Sequence, residues 1–384
     1  MATWREHMPE GMQLKSEGFA SNLSAPDPAS TLKAYCAAHG HTYDDQAWPV
    51  PVSLFNEYAD WFHGRYVPQL ESKLVVSLAS SGEGYVLILE DGKRLYARKV
   101  VLAAGVTWFK HVPEMLAGLS NVSHSYDHLR ASEFARRDVI VLGAGASAID
   151  TAALFHNTGA RTTILARRKA IPFHQAPDPD NVSWMKQLTM PPTGIGPGWK
   201  SVFFTKAPQL FRHLPAQLRL DVVKRYLGPA PGWFMRDTVE GRIPMMLGHH
   251  LQAVGESGSR IELHLRDERG AEKRVETDHL VAATGFAPSI RKLPFLSSVL
   301  REQIASIADT PVLSANFETS MPGLYALGLL AANSFGPLLR FMVGAEFAAP
   351  RLAGHLARKR ARSSPFQTDR AEKLFAKASH IGLR

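Results

Sequence analysis

A glycine-rich turn in the middle of the chain carries the clearest chemical signal. The apolar run 138–142 (DVIVL) leads directly into GAGASAID and the helix-periodic stretch TAALFHNTGA. In such a turn, Gly143 permits the sharp change from strand to helix, Gly145 lets the backbone approach a diphosphate, and Ala148 permits close packing of the helix on the strand. Ser147 would either touch the phosphate or cap the helix, whose N-terminus attracts anions. The order of strand, turn and helix predicts a dinucleotide-binding unit.

The end of the next strand indicates which dinucleotide is bound. The β-branched run 161–166 (RTTILA) completes a strand–helix–strand unit, and Arg167, Arg168 and Lys169 follow it. An acid about 20 residues after the glycines would accept the ribose 2′-hydroxyl of NAD, whereas cations there favour a 2′-phosphate. We therefore predict that Arg167 and Arg168 bind NADP(H) in preference to NAD(H). The alternative is a strand end that is basic only because it lies on the surface.

Two flanking segments predict the elements that hold this unit. Residues 70–105 contain alternating or apolar runs separated by glycine turns and end in VVLAAG, and residues 260–285 repeat this order and end in VAATG. Each copy predicts a small antiparallel meander followed by a buried strand. The predicted fold class is α/β, with two dinucleotide-binding (Rossmann-like), three-layer domains, the second inserted into the first. Residues 172–248 are rich in Pro, Gly and Trp, which predicts covering loops with short helices.

Composition excludes several classes of protein. The chain has 384 residues, of which 45% are hydrophobic, and one cysteine, Cys36. This is the composition of a globular protein long enough for two domains. A single cysteine excludes an intramolecular disulfide, a CxxC redox pair and a cysteine-rich zinc site. His39 with His41, and His249 with His250, lack partners at zinc spacing, so we expect no metal site. The sequence contains no signal peptide or membrane span, and we predict a cytoplasmic location.

The positive charge is concentrated at the C-terminus. The formal net charge is +9, and residues 351–384 hold nine Lys and Arg against two acids. No aromatic residues interleave with the basic run HLARKRAR, so a solvated terminal helix and tail is the preferred interpretation. The alternative is contact with a nucleic acid or an anionic surface. We expect a small-molecule substrate as partner and neither a nucleic acid nor a membrane.

Further motifs give the chain a resemblance to a known family. They are the opening WREHMPEGMQLKS, the strand end VVLAAG, HSYDH at 124–128, GAGASAID, VAATGF, and GLYALG with SFGPLLRFMVG between 323 and 344. Along nearly its whole length the chain resembles the flavin-containing monooxygenase-like flavoproteins, which include N-hydroxylases and Baeyer–Villiger monooxygenases. The resemblance implies FAD and NADP as cofactors. It also implies an FAD domain at 1–134 and 286–350, split by an NADP domain at 135–285 and followed by a basic helix or tail at 351–384.

The resemblance implies a set of FAD contacts as well. They lie near the N-terminus, at strand ends and in the C-terminal motif, and are Met8, Met12, Val75, Gly105, Thr284, Gly285, Gly328, Gly336, Pro337, Leu338 and Leu339. Members of the family begin with a strand and a GxGxxG turn that holds the FAD diphosphate, and nothing before Trp4 supplies one. We therefore expect an FAD domain that is incomplete at its N-terminus. The start is misassigned, the chain is a fragment, or part of the FAD site has been lost.

The function implied by the resemblance is that of an NADPH-dependent flavoprotein oxidoreductase, most similar to a monooxygenase. Hydride would pass from NADPH to FAD, followed by oxygen activation and hydroxylation of a small substrate. The alternative is a non-catalytic NADP-binding protein or truncated remnant that has lost FAD. His124, His128 and His174 could position nicotinamide or substrate, although each is more typical of a hydrogen-bonded structural histidine. The sequence identifies no catalytic residue.

Overall fold

The N-terminal region folds into three helices. The computed structural model describes residues 2–8, 11–82, 84–127, 130–176, 184–226, 228 and 230–362. The first helices are α1 (Ala2–Glu6), α2 (Leu32–His39) and α3 (Val52–Tyr66). The Thr31 side chain caps α2 by accepting a hydrogen bond from the Ala34 N–H group, and Gly40 ends the helix with a φ of 72°. Cys36 is buried in the apolar cluster between α2 and α3.

The first predicted meander is confirmed. Its strands are β1 (Val75–Ser81), β2 (Gly84–Leu89) and β3 (Arg94–Ala97), and the short strand β4 (Val100–Leu102) follows. β2 lies antiparallel to both β1 and β3. β4 leaves this sheet and pairs in parallel with a strand from the C-terminal part of the chain.

The predicted strand–turn–helix–strand unit is also confirmed. Strand β5 (Val122–His124) precedes it, and its elements are β6 (Asp138–Leu142), α4 (Ala146–Asn157) and β7 (Arg161–Ala166). β6 and β7 are parallel. Gly159, which has a φ of 90°, lies in the turn between α4 and β7.

Helices rather than loops alone fill the Pro- and Gly-rich segment. They are α5 (Trp184–Thr189), α6 (Trp199–Lys206), α7 (Pro208–Phe211), α8 (Ala216–Arg225) and α9 (Arg236–Val239). Phe204 and Phe211 are buried in the same core cluster as residues of the C-terminal part. The Arg219 guanidinium donates a hydrogen bond of 2.7 Å to the Asn333 carbonyl. The segment therefore packs on the C-terminal part of the chain.

The second predicted meander returns the chain to the central sheet. Its strands are β9 (His249–Ser257), β10 (Arg260–Asp267) and β11 (Glu272–Thr277). β8 (Met245–Leu247) precedes them and β12 (His279–Ala282) follows them, and both join the parallel sheet. β10 lies antiparallel to β9 and β11. The prediction anticipated β10, β11 and β12, whereas β8 and β9 are additional strands. β12 inserts between β5 and β6, which gives the parallel order β5–β12–β6–β7–β8 among the described strands.

Alternating side chains of β6 define three layers. Val139 and Val141 face α4 in one apolar cluster. Ile140 belongs to a second cluster with Ile261 and Leu263 of β10. Because successive residues of a strand point to opposite faces, the parallel sheet lies between the helix and the antiparallel meander. This is the predicted α/β three-layer arrangement.

The C-terminal part completes a smaller parallel sheet. Its elements are α10 (Ser298–Gln303), β13 (Ser306–Ile307), β14 (Thr310–Pro311), β15 (Leu324–Ala326), α11 (Ala332–Phe335), a 3-10 helix (Pro337–Arg340) and α12 (Ala345–Arg362). β15 pairs only with β4 among the named strands of the described chain. None of the helices in the described part is both long and apolar enough to cross a membrane.

Candidate functional site

Gly143 has no room for a side chain. Its φ is 147°, and a Cβ atom at this position would lie 2.6 Å from the Ala283 carbonyl oxygen and 3.2 Å from the Ala148 Cβ atom. Its N–H group donates a hydrogen bond of 2.9 Å to the Leu165 carbonyl. Ala148 is buried. Glycine and alanine are therefore required where β6, β12 and α4 approach one another, as the turn pattern predicted for packing.

No side chain caps the N-terminus of α4. Gly145 is the N-cap residue in an extended conformation, with a φ of −90° and a ψ of 176°. The side chain of Ser147 is exposed and is not the cap that one alternative predicted. The N-terminus of a helix of 12 residues concentrates positive potential from its free N–H groups. The geometry is that of an anion-binding helix start.

The two arginines lie beside this helix start. β6 and β7 are adjacent and parallel, so Arg167 and Arg168 follow the same edge of the sheet as the Gly143 turn. Both are exposed, and neither forms an ion pair with any residue in the described ranges. Lys169 differs, because its ammonium lies 2.5 Å from the Glu268 carboxylate. The cationic character of this edge thus rests on Arg167 and Arg168.

The N-terminal methionines meet the C-terminal motif. Met8 and Met12 pack in one apolar cluster with Met342. Pro9 and Glu10, in the middle of the MPEGM loop, lie outside the described residues. Pro337, Leu338 and Leu339 are buried. The structure thus brings the two methionines to Met342 of the C-terminal motif, whereas Leu338 and Leu339 belong to a different apolar cluster.

Gly336 is required by both conformation and space. It has a φ of 94°, and a Cβ atom there would lie 3.2 Å from the Phe211 ring. Phe211 belongs to α7, so the inserted helices press directly on the C-terminal motif. A larger residue at position 336 would push α7 away from it.

Gly105 and Gly328 follow the paired strands β4 and β15. Their φ values are 64° and 62°, and a Cβ atom at either position would meet nothing within 4 Å. The Leu327 N–H group donates a hydrogen bond of 3.0 Å to the Leu102 carbonyl, which aligns the two strand ends. The two glycines therefore lie at one edge of the small sheet. Val75 is elsewhere, opposite Leu89 in the β1–β2 pair.

Thr284 and Gly285 lie where the chain crosses between the two sheets. The His111 N–H group donates to the Gly285 carbonyl at 3.0 Å, and the Ala287 N–H group donates to the Phe109 carbonyl at 2.8 Å. The Thr284 hydroxyl donates to the His111 carbonyl. The segments 109–111 and 284–287 thus run antiparallel, and Thr284 and Gly285 directly follow Ala283 beside the Gly143 turn.

His124 stabilises this crossing. Its Nδ1 accepts a hydrogen bond of 3.1 Å from the Tyr126 N–H group, so the neutral ring donates through Nε2 to the Gly285 carbonyl at 3.0 Å. Burial lowers the pKa of His124, against a smaller opposing effect of the bond to Gly285. Because both ring nitrogens are used within the protein, the geometry favours the structural role over the nicotinamide-positioning one. His128 lies outside the described residues.

We expect acid to destabilise the fold through His124. Its folded pKa is lowered, so at pH values below about 6.5 the unfolded chain binds a proton that the folded chain rejects. The free energy of unfolding should therefore fall as the pH drops from about 6.5 towards the folded pKa. Urea titrations across this range should show a shallower dependence in His124→Gln. The exposed His213→Gln is the control, and an unchanged slope in His124→Gln would contradict the assignment.

Comparisons with known proteins agree with this architecture. Residues 66–191 match the family described as pyridine nucleotide-disulphide oxidoreductase. The FAD-bound cadaverine monooxygenase of desferrioxamine biosynthesis from Erwinia amylovora superimposes with a TM-score of 0.69 at 16% identity, over 94% of this chain and 88% of that one. Ornithine hydroxylase from Pseudomonas aeruginosa gives 0.67 at 17%, over 91% and 87%. The chain has the fold of the flavin-containing monooxygenase-like, FAD- and NAD(P)-binding oxidoreductases.

Curated relatives match a shorter stretch of the chain. A ferredoxin–NADP reductase from Gluconacetobacter diazotrophicus is 24% identical over 277 residues, which is 69% of this chain and 62% of the relative. The chain therefore spans about three fifths of the length of the curated relatives it matches first.

The fold also gathers charged groups that the sequence did not predict as a site. Burial lowers the pKa of Lys15 to about 8. The Asp150 carboxylate acts in the opposite direction and raises it, whereas the Arg340 guanidinium lowers it further. Burial raises the pKa of Asp150 to about 7, against the effect of Lys15. Burial is also the main cause of a lowered pKa of His174, and the positive charge of Lys15 lowers it further. These groups come from four separate segments, so only the fold could reveal that they interact.

Arg340 links this charged cluster to the inserted helices. Its guanidinium donates hydrogen bonds of 3.0 Å and 3.1 Å to the carbonyls of Val223 and Tyr226. Asp150 was visible in the GAGASAID motif, but a motif does not show what the far side of the helix faces. The cluster joins Asp150 of α4 to Arg340 of the C-terminal motif through Lys15.

Proposed function

We propose that this chain is an NADPH-dependent flavoprotein oxidoreductase of the monooxygenase type, acting in the cytoplasm on a small substrate. The observation that carries the proposal is the arrangement at one sheet edge of the Gly143 turn, the start of α4 and the Arg167–Arg168 pair. The domain boundaries at 134, 285 and 350 belong to the same proposal. The printed names of the relatives and structural neighbours, which are reductases and hydroxylases, support it.

The residues present fit NADP well. The α4 N-terminus would bind the diphosphate, and Gly143 and Gly145 would let the backbone approach it. Arg167 and Arg168 would hold the 2′-phosphate, for which a guanidinium fork is well suited. Ser147, which is exposed at the helix start, would add a hydroxyl contact.

The residues present fit one end of FAD. Met8 and Met12, which pack with Met342, would help to exclude water from the flavin ring, and the buried 337–339 segment would add apolar contacts from a separate cluster. Gly105 and Gly328 leave open space at the edge of the small sheet. The remaining proposed contacts are Thr284, Gly285, Gly336 and Val75, of which Val75 lies in the β1–β2 pair rather than at this edge. When bound, FAD would supply hydride acceptance from NADPH and activation of dioxygen.

A second candidate is a non-catalytic NADP-binding protein. It is favoured by the small β4–β15 sheet, because neither strand is followed within the described residues by a glycine turn that opens a long helix. Such a turn is the usual cradle of a dinucleotide diphosphate. The two candidates differ in flavin retention: reduction of bound FAD by NADPH supports the first, and NADPH binding without FAD retention supports the second.

A further inference from the structure

Two of the inserted helices expose large apolar side chains on one surface. Trp184 and Leu188 of α5 are 72% and 60% exposed, and Trp199 of α6 is 62% exposed. The Trp199 Nε1–H group donates a hydrogen bond of 2.9 Å to the Leu188 carbonyl, which joins the two helices. We call the exposed side chains of Trp184, Met185, Leu188, Met190, Trp199 and Phe203 the α5–α6 surface.

Helix α6 has a buried apolar face in addition to its exposed apolar side chains. Phe204 of α6 is buried and packs edge-on against Phe211 and Tyr226. Trp199 and Phe203 are four residues apart, so they share a different side of the same helix. Both sides of α6 are apolar, although only one packs on the protein. Contiguous exposed apolar patches on soluble proteins mark interaction sites.

The surroundings of the α5–α6 surface are strongly basic. Residues 184–226 contain seven Lys and Arg and a single acid, Asp221. Two of the arginines are used internally, since Arg212 donates to the Leu313 carbonyl and Arg219 to the Asn333 carbonyl. Lys200 and Lys206 of α6 are exposed beside Trp199 and Phe203. On α6 itself the exposed cations are therefore lysines, and the remaining exposed arginine of the segment, Arg225, lies at the end of α8.

We propose that the α5–α6 surface docks on an anionic lipid membrane as a peripheral contact. Tryptophan, leucine and methionine side chains enter the boundary between headgroups and acyl chains, while lysines reach the lipid phosphates. A protein partner fits less well, because lysine is depleted in protein interfaces. Such docking needs no membrane-spanning helix. It departs from the expectation drawn from the sequence, which was of no membrane partner and weighed only the tail as an anionic-surface contact.

The test is co-sedimentation of the full chain with sucrose-loaded vesicles. We expect binding to vesicles of phosphatidylcholine mixed with phosphatidylglycerol, and weaker binding to phosphatidylcholine alone. Trp184→Ser with Leu188→Ser should reduce this binding by about tenfold or more, because two apolar side chains that would enter the bilayer are lost. The matched control is Leu74→Ser with Val299→Ser, which removes side chains that are 64% and 60% exposed elsewhere.

Charge and self-association provide the remaining arms of the test. Lys200→Glu should weaken binding to the anionic vesicles severalfold, and Lys273→Glu, on β11, should not. The proposal is overturned if neither vesicle binds the chain, or if both double variants lose binding equally. It is also overturned if deletion of 363–384 alone abolishes binding. Light scattering could instead show a dimer that Trp184→Ser dissociates, which would overturn the proposal. Binding of an acidic protein to the α5–α6 surface, without binding of vesicles, would overturn it as well.

Discussion

Gly143→Ala is expected to weaken NADPH binding by about 100-fold or more, the largest effect of any single substitution considered. The new Cβ atom would lie 2.6 Å from the Ala283 carbonyl oxygen, and the residue would keep a φ of 147°. Ala283 cannot yield easily, because its N–H group is bonded to the Leu142 carbonyl at 3.0 Å. The turn must therefore distort, which costs about 3 kcal/mol. Since about 1.4 kcal/mol corresponds to a tenfold change in affinity, this cost gives the expected loss of about 100-fold. Calorimetric titration with NADPH measures the change.

Gly159→Ala separates loss of the turn from loss of stability. Gly159 has a φ of 90°, and a Cβ atom there would lie 3.9 Å from the Cβ atom of Ala135. We expect a lower melting temperature from backbone strain but an unchanged dissociation constant for NADPH. Wild-type affinity in Gly143→Ala would contradict the assignment of the turn.

Arg167→Ala with Arg168→Ala should remove the preference for NADPH over NADH. The two guanidinium groups are exposed beside the start of α4, and no described residue neutralises them by an ion pair. Charge-assisted hydrogen bonds are worth about 1.5 to 3 kcal/mol, so the pair should contribute about 10- to 100-fold in affinity for the 2′-phosphate. The dissociation constant for NADH should change little, because NADH has no 2′-phosphate.

Lys169→Ala is the matched control for the arginine pair. Its ammonium already pairs with Glu268, so its loss should leave the ratio of NADPH to NADH affinity nearly unchanged. An equal loss of affinity for both dinucleotides in the double arginine variant would remove the argument for NADP. A loss of selectivity in Lys169→Ala alone would place the 2′-phosphate on the other side of the strand end.

Local sequence rules predicted the central unit because its constraints are local. Gly143 and Ala148 approach each other within one strand–turn–helix unit, which hydrophobic periodicity identifies. The Ala283 carbonyl that also excludes a side chain at Gly143 comes from a distant part of the sequence. The two meanders were predictable for the same reason. In the structure, alternate residues of β6 face α4 and β10, which gives the predicted order of three layers.

Contacts between distant segments were not predictable. His124 and Gly285 are 161 positions apart, and only the fold shows that both nitrogens of His124 are used. The charged group around Lys15 and Asp150 likewise joins separate parts of the chain. In the inserted helices, prolines and glycines obscured the helical pattern, so the exposed face of α6 was not anticipated. Sequence periodicity does not show which apolar face remains uncovered.

The most direct test of the central claim is the visible spectrum of the purified chain. It should be recorded as isolated, after incubation with FAD and desalting, and again after NADPH is added without oxygen. We predict a flavin band that survives desalting and bleaches on addition of NADPH, with slower bleaching by NADH. A chain that retains no flavin yet still binds NADPH, or a retained flavin that NADPH does not reduce, would contradict the assignment as a flavoprotein oxidoreductase.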